Sequence, residues 1–344
     1  MSNKSHIAAL DGLRGVAASA VLASHVHLAP EPTGTVAVWA FFVLSAFLLT
    51  TPFVSSDEAY RPLNVLAFLV RRVMRILPLY AVFVVSYGYA AGMTSEFVYN
   101  QLVLFRGAGH LWTINQELLF YGVLPFLALL ILPLRRFPLA VAGLLLAAAA
   151  VVGRVLTVDV VAVPAISAYM PFFVAPFLIG MALCFAYPVV QPWLRTLRPL
   201  VANAGMAGLV AGFAAVLYWL SLRAGPGVNF AAQSPAPIAA CVGACMVWAL
   251  GTERNFLKAL LSVTPLRKIG EVGYGFYLFH WTFVQLFPHE ATLGWFLLFG
   301  AMTYSVARFA YVVVEKPGIE LGRSISTLLH SFGDRKAVGH PAAG

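Results

Sequence analysis

The chain has 344 residues, of which 61% are hydrophobic and only 10% charged, and its net charge is +9. Soluble domains hold about a quarter charged residues, so this composition excludes an ordinary water-soluble globule and leaves a lipid bilayer as the matching solvent. The positive charge does not point to nucleic acid, because Lys and Arg sit in short clusters between apolar runs, as in membrane-protein loops.

A bilayer-crossing helix needs about 20 apolar residues. That window predicts about ten spans, at 9–29, 34–53, 76–93, 112–132, 138–155, 168–187, 201–220, 236–251, 269–288 and 293–314, hence an all-α polytopic fold. The first span contains Asp11, Arg14 and His25 and lacks a small-residue cleavage site, so it reads as a retained helix and not a secretory leader. The eighth is short and follows a Gly- and Pro-rich stretch from Ala224 to Pro237, where a kink or a partly re-entrant segment is expected.

The connections set the expected orientation. With the N-terminus inside, the inner loops hold Arg61, Arg71, Arg72, Arg75, Arg135, Arg136, Arg195, Arg198, Arg254, Lys258, Arg267 and Lys268, and the outer loops only Arg106, Arg154 and Arg223. Both termini are therefore expected in the cytoplasm, and the protein in the inner cell membrane. Residues 1–320 read as one transmembrane domain and 321–344 as a loose cytoplasmic tail. Cys184, Cys241 and Cys245 lie in apolar runs with no histidine or further cysteine beside them in sequence. They read as small core residues, and no metal is expected.

Ionisable groups inside spans cost about 2.5–3.5 kcal/mol each, so each is a candidate for function. Arg14 and His25 are eleven residues apart and return to nearly the same face of span 1, about 16 Å apart along the axis, with Asp11 near that face. Two readings are open: an interface anchor plus a packed histidine, or a charge and a base sharing one working stripe. Span 2 carries Phe41-Phe42-Val43-Leu44-Ser45-Ala46, with a small-residue contact point at Ser45-Ala46. Arg71, Arg72 and Arg75 precede span 3; they are either a stop-transfer cluster or a cytoplasmic anion site, for which the guanidinium fork suits phosphate. Span 4 opens Leu111-Trp112-Thr113 and carries Glu117, with His110 and Tyr121 near its face. Span 9 carries His280 in its outer half, and span 10 carries Arg308 above Glu315-Lys316-Pro317. Read by depth, His25, Glu117 and His280 fall outward, and Arg14, Arg308 and the Arg71–Arg75 cluster inward.

These motifs, in this order, resemble the acyltransferase-3 family of integral membrane acyltransferases, which modify O-antigen, exopolysaccharide, Nod-factor and macrolide sugars. The similar residues run through Asp11-Gly12-Leu13-Arg14-Gly15 and His25, Phe41 to Ser45, Arg72 to Tyr80, Leu111-Trp112 with Glu117 and Phe120-Tyr121, Tyr277-Leu278 with His280, and Glu315 with Pro317. The resemblance implies ten core helices, acyl-CoA as donor, a catalytic His25, and donor handling by Arg14, Arg72 and Arg75. Ala46 departs from the family's usual Gly and Thr113 from its usual Ser. With no esterase-like segment among the 344 residues, a stand-alone form is expected.

The expected reaction is transfer of an acyl group, with acetyl as the base-rate choice, from cytoplasmic acyl-CoA to a hydroxyl of an extracytoplasmic sugar or glycoconjugate. His25 is the expected general base, with Glu117 or a backbone carbonyl orienting its ring. Arg308 joins the donor-binding arginines, and His280, Trp112 and Tyr121 are expected at the acceptor side. The partners are acyl-CoA, the sugar and membrane lipids. Two other classes stay open: a multi-span transporter, and an unrelated membrane acyltransferase built around a His–Asn pair.

Overall fold

The computed structural model describes residues 2–103, 106–159, 174–224 and 229–338. Among these the backbone is helical almost throughout. In chain order the helices are α1 (Ser2–His25), α2 (Glu31–Ser55), α3 (Pro62–Ala90), α4 (Ser95–Leu102), α5 (Trp112–Ile131), α6 (Pro138–Asp159), α7 (Val174–Thr196) and α8 (Pro199–Ala224). There follow α9 (Phe230–Gln233), α10 (Pro235–Gly251), α11 (Phe256–Leu261), α12 (Thr264–Glu271), α13 (Gly273–Leu286), α14 (Leu293–Ala310) and α15 (Lys316–Val338).

Over the described residues, the greater part of each expected span is helical. Five helical segments are both long and apolar enough to cross a bilayer: Glu31–Ser55, Gly109–Leu134, Val174–Thr196, Pro199–Ala224 and Leu293–Ser331. Helices α6 and α10 are apolar but shorter over the described residues. The outward faces agree with a lipid surround. Phe126 and Leu130 on α5 and Leu200, Tyr218 and Leu222 on α8 are each at least 65% exposed, an arrangement that water would penalise. The chain is a multi-pass helical membrane protein.

Three expectations are refined. Span 9 is two helices, α12 and α13, broken at Val272. The chain before span 8 forms the short α9 and then breaks at Ser234; residues 225–228 of that stretch, like 168–173 of span 6, lie outside the described residues. The segment read as a loose tail is helical to Val338 and packs along α3. Gly318 lies so close to the Met74 carbonyl that a Cβ would crowd it, and Arg71 donates to Ser326 Oγ.

The tightest packing sits around Arg14. A Cβ at Gly12 would overlap the Leu261 carbonyl oxygen, one at Gly15 that of Leu266, and one at Gly270 that of Asp11. Backbone therefore meets backbone between α1 and the α11–α12 turn, as small residues permit between membrane helices. The same logic explains Ala46: its methyl faces Gly180 of α7, where a Cβ would overlap it and the Val43 carbonyl. The glycine of this contact stands on the opposite helix, so the close approach survives. We expect Gly15→Ala to force α12 away from α1 and lower the unfolding temperature of the detergent-purified protein, at a cost of about 1–3 kcal/mol. An unchanged melting curve would mean that the contact is looser than described.

Candidate active site

A cavity of about 140 Å³ lies between α1, α2, α3, α5 and α13. Arg14, Arg72 and Arg75 line it together with Glu117, Tyr121, Tyr274 and Glu315. Each cation arrives for a local reason. Asp11, one turn before Arg14, accepts from its Nη1 at 2.7 Å and so fixes the guanidinium. Arg72 and Arg75 are three apart on α3 and share its inner face, whereas Arg71 turns to α15. Arg72 lies 5.6 Å over the Phe68 ring, and its buried Nε has no hydrogen-bond partner. Exposed Glu271, paired with Lys268 at 3.0 Å, also borders the cavity. The cavity therefore opens toward the end of the bundle that bears the Arg and Lys clusters.

The acids are placed differently from their expected depths. Glu117 lines this arginine cavity and does not touch His25. Its Oε1 accepts from Ser45 Oγ at 2.8 Å and from the Tyr121 hydroxyl at 2.5 Å. Ser45 and Tyr121 thereby tie α2 to α5 through one carboxylate, which gives the Ser45 motif its place. Arg308 does not reach the cavity: it is exposed on α14, 5.5 Å over the Tyr311 ring. Glu315 stands there instead. A π-helical turn, Tyr311–Glu315, joins α14 to α15. Such turns re-aim side chains where they interrupt a helix, and this one leaves Glu315 2% exposed, lining the cavity with Oε2 unpartnered. In sequence it stands as an acid at the inner end of an apolar run and, with Pro317, among the residues of the family resemblance.

Beyond the cavity wall, α1 delivers His25 to a cluster of rings. His25 Nδ1 lies 2.8 Å from His280 Nε2, and Trp281 packs edge-on to His25 with ring centroids 5.0 Å apart. His110 completes the group, stacked on Trp281 at 5.2 Å. Its approach requires Gly107 and Gly109, both at positive φ (65° and 58°), a conformation glycine adopts freely. Tyr277 connects the cluster to the cavity. It lines the cavity, donates its hydroxyl to the His110 carbonyl at 2.8 Å, and accepts from Thr113 Oγ1 at 3.1 Å. The hydroxyl kept at Thr113 is thus in use. Trp112 packs edge-on to Trp39 and Phe42 outside the cavity lining.

The structure thus brings together Arg14, Arg72, Arg75, Glu117 and Tyr121 in one cavity, and His25 with His280 in a second group, with Thr113 and Tyr277 between them. Arg308 and Trp112 stand apart. Sequence reading did not assign Ser45, Tyr274, Tyr277 or Glu315 to the site.

Comparison with known proteins follows the same outline. The chain is 24% identical, over 92% of its length, to the peptidoglycan O-acetyltransferase OatA of Listeria monocytogenes, and spans 56% of that protein. It is 28% identical, over 85% of its length, to the exopolysaccharide production protein ExoZ of Rhizobium meliloti, and spans 91% of it. No solved structure matches the chain. The model of a family described as an acyltransferase domain matches residues 7–313, a stretch that contains most of α1, the three cavity arginines and the histidine cluster, and the chain belongs to this acyltransferase-3 family.

Proposed function

We propose that the protein moves an acyl group, most simply acetyl, from cytoplasmic acyl-CoA to a hydroxyl of an extracytoplasmic sugar or glycoconjugate, from a place in the inner membrane with both termini in the cytoplasm. The observation that carries this reading is the division of labour along α1: Arg14 in a cavity with two further arginines, and His25 about 16 Å farther on, paired with His280. Family membership and relatives named for O-acetylation of peptidoglycan and for exopolysaccharide production support it.

The cavity suits part of such a donor. Three guanidiniums and an unpartnered Arg72 Nε fit phosphate oxygens, and the cavity beside them can take part of the donor's chain. Arg72 and Arg75 would hold the phosphates, and Arg14, fixed by Asp11, would flank the chain's path. The donor supplies a thioester, whose C–S bond breaks as the acyl group passes to the acceptor oxygen. His25 takes the proton of the acceptor hydroxyl and can return it to the departing sulfur. Glu117, already holding Ser45 and Tyr121, would keep the cavity walls in place.

The test uses purified protein, labelled acetyl-CoA and isolated cell-wall or exopolysaccharide glycans. Label should pass to glycan hydroxyls with the wild type. In Arg72→Ala/Arg75→Ala the KM for acetyl-CoA should rise about ten- to a hundredfold, the scale of lost charge-assisted hydrogen bonds. No labelled glycan with any acceptor would end the transferase reading. Unchanged donor affinity in the double variant would make these arginines orientation signals only.

A further inference from the structure

The histidine cluster specifies where its protons sit. His280 Nδ1 lies 2.5 Å from the Tyr277 carbonyl oxygen, and a carbonyl oxygen only accepts, so Nδ1 carries the proton of the neutral ring. Nε2 of His280 is then left with a lone pair. That lone pair faces His25 Nδ1 at 2.8 Å, so His25 must be the donor in this bond. His25 is therefore Nδ1–H, and its own lone pair is on Nε2, which makes no hydrogen bond among the described residues.

The ring geometry supports the same assignment. The planes of the two imidazoles are parallel to within 3°, with centroids 5.1 Å apart. That separation fits two rings joined edge to edge through facing nitrogens; rings stacked face to face would lie closer. The N–H and the lone pair thus lie in one plane, the favoured alignment. His280 is 1% exposed, so bulk water does not compete for Nε2. His110 does not compete either: its Nε2 donates to the Leu278 carbonyl at 3.2 Å, and its ring meets that of His280 nearly perpendicularly.

We propose that His280 is a positioning residue that fixes the tautomer of His25. The in-plane bond holds the proton on Nδ1 and leaves Nε2 as the basic nitrogen offered to the acceptor hydroxyl. The opposite tautomer would carry a proton on Nε2 and could not accept another. When Nε2 takes the acceptor's proton, the imidazolium keeps its Nδ1–H on His280 and the ring holds its place. No proton passes to His280, whose own Nδ1–H stays on Tyr277. This assignment rests on the reading of His25 as the base. It also moves His280 from the acceptor side, where sequence placed it, to the support of the base.

The experiment combines ¹⁵N-histidine NMR of the detergent-purified protein with kinetics of His280→Phe and His280→Gln. Phe keeps a ring but offers no acceptor, whereas Gln retains a carbonyl oxygen that can accept from His25 Nδ1–H. The His25 signal, identified by its loss in His25→Ala, should report a proton on Nδ1 in the wild type. His280→Phe should lower kcat about a hundredfold, on the scale of a misplaced general base, with the KM for acetyl-CoA within about twofold. His280→Gln should recover at least about tenfold of that loss. A wild-type His25 proton on Nε2 would overturn the proposal even if neither variant folds. So would a His280→Phe variant with normal kcat, or a folded His280→Gln as slow as His280→Phe. If His25→Ala itself transferred acyl groups normally, the base assignment would fall, whatever nitrogen carries the proton.

Discussion

Replacing His25 with alanine is expected to abolish measurable acyl transfer while leaving the protein folded and inserted. Loss of a general base costs about 10²–10⁴-fold in rate, and no other basic side chain among the described residues is placed to substitute. His280 uses its Nδ1 on the Tyr277 carbonyl, and His110 is buried with its Nε2 on the Leu278 carbonyl. The structural cost of the substitution is confined to one unpaired nitrogen on His280, about 1–3 kcal/mol. His25 is only half-buried, and α1 is held elsewhere by its glycine contacts with the α11–α12 turn. The control is His27→Ala. His27 is exposed two residues farther on, with its ring 6.5 Å from that of His289, and its loss should leave the rate within about twofold. Equal activity in the two variants would return His25 to the role of a packed bundle histidine.

The sequence made the helices and the arginine site legible because both depend on short-range rules. Apolar runs of bilayer length mark helices wherever they fall, and a three-residue spacing puts Arg72 and Arg75 on one face without knowledge of any neighbour. Depth along a helix is also readable, since it follows from residue count. What a side chain meets at its depth is not. Glu117 was placed outward with His25 because it lies near the start of its span. Its actual partners, Ser45 and Tyr121, depend on how α2 and α5 are rotated against each other.

Arg308 and Glu315 show a second limit. Both lie near the inner end of one apolar run, and a regular helix gives no reason to prefer either. The π-helical turn between α14 and α15 decides it: Glu315 turns into the cavity while Arg308 stays on the outer face. Such a turn leaves no composition signature. The tail was misjudged for a related reason. Its polar residues look solvent-exposed and disordered in isolation, yet Gly322 and Ser326 find partners on α3 that are more than 200 residues away in the chain. The pairing of His25 with His280, 255 residues apart, is long-range in the same way. Sequence placed both at similar depth but contained nothing to show that they touch.

The second large effect concerns sidedness: product should form only when acyl-CoA is on the cytoplasmic face and the acceptor on the other. The cavity with Arg14, Arg72 and Arg75 borders Glu271, which pairs with Lys268, at the end of the bundle rich in cations, the end that the positive-inside rule assigns to the cytoplasm. His25 lies about 16 Å along α1 from Arg14, beside the 26–30 turn that precedes α2. Reporter fusions should accordingly read the 26–30 turn as external and both termini as internal. Between the two ends, Thr113 and Tyr277 form the contact of cavity and histidine cluster, so only a slender part of the donor has a path toward His25. An acceptor sugar then has no need to cross the membrane before or after acylation. Proteoliposomes with uniformly oriented protein test this with acetyl-CoA and a membrane-impermeant glycan supplied on chosen sides. Of the four arrangements, one should give product at a rate at least about a hundredfold above the rest, because a charged donor on the wrong face meets a barrier of many kcal/mol to reach the arginine cavity. Product that instead requires both substrates on the cytoplasmic face would mean that His25 is approached through the same cavity by donor and acceptor. The wall at Thr113 and Tyr277 would then have to open to admit a sugar.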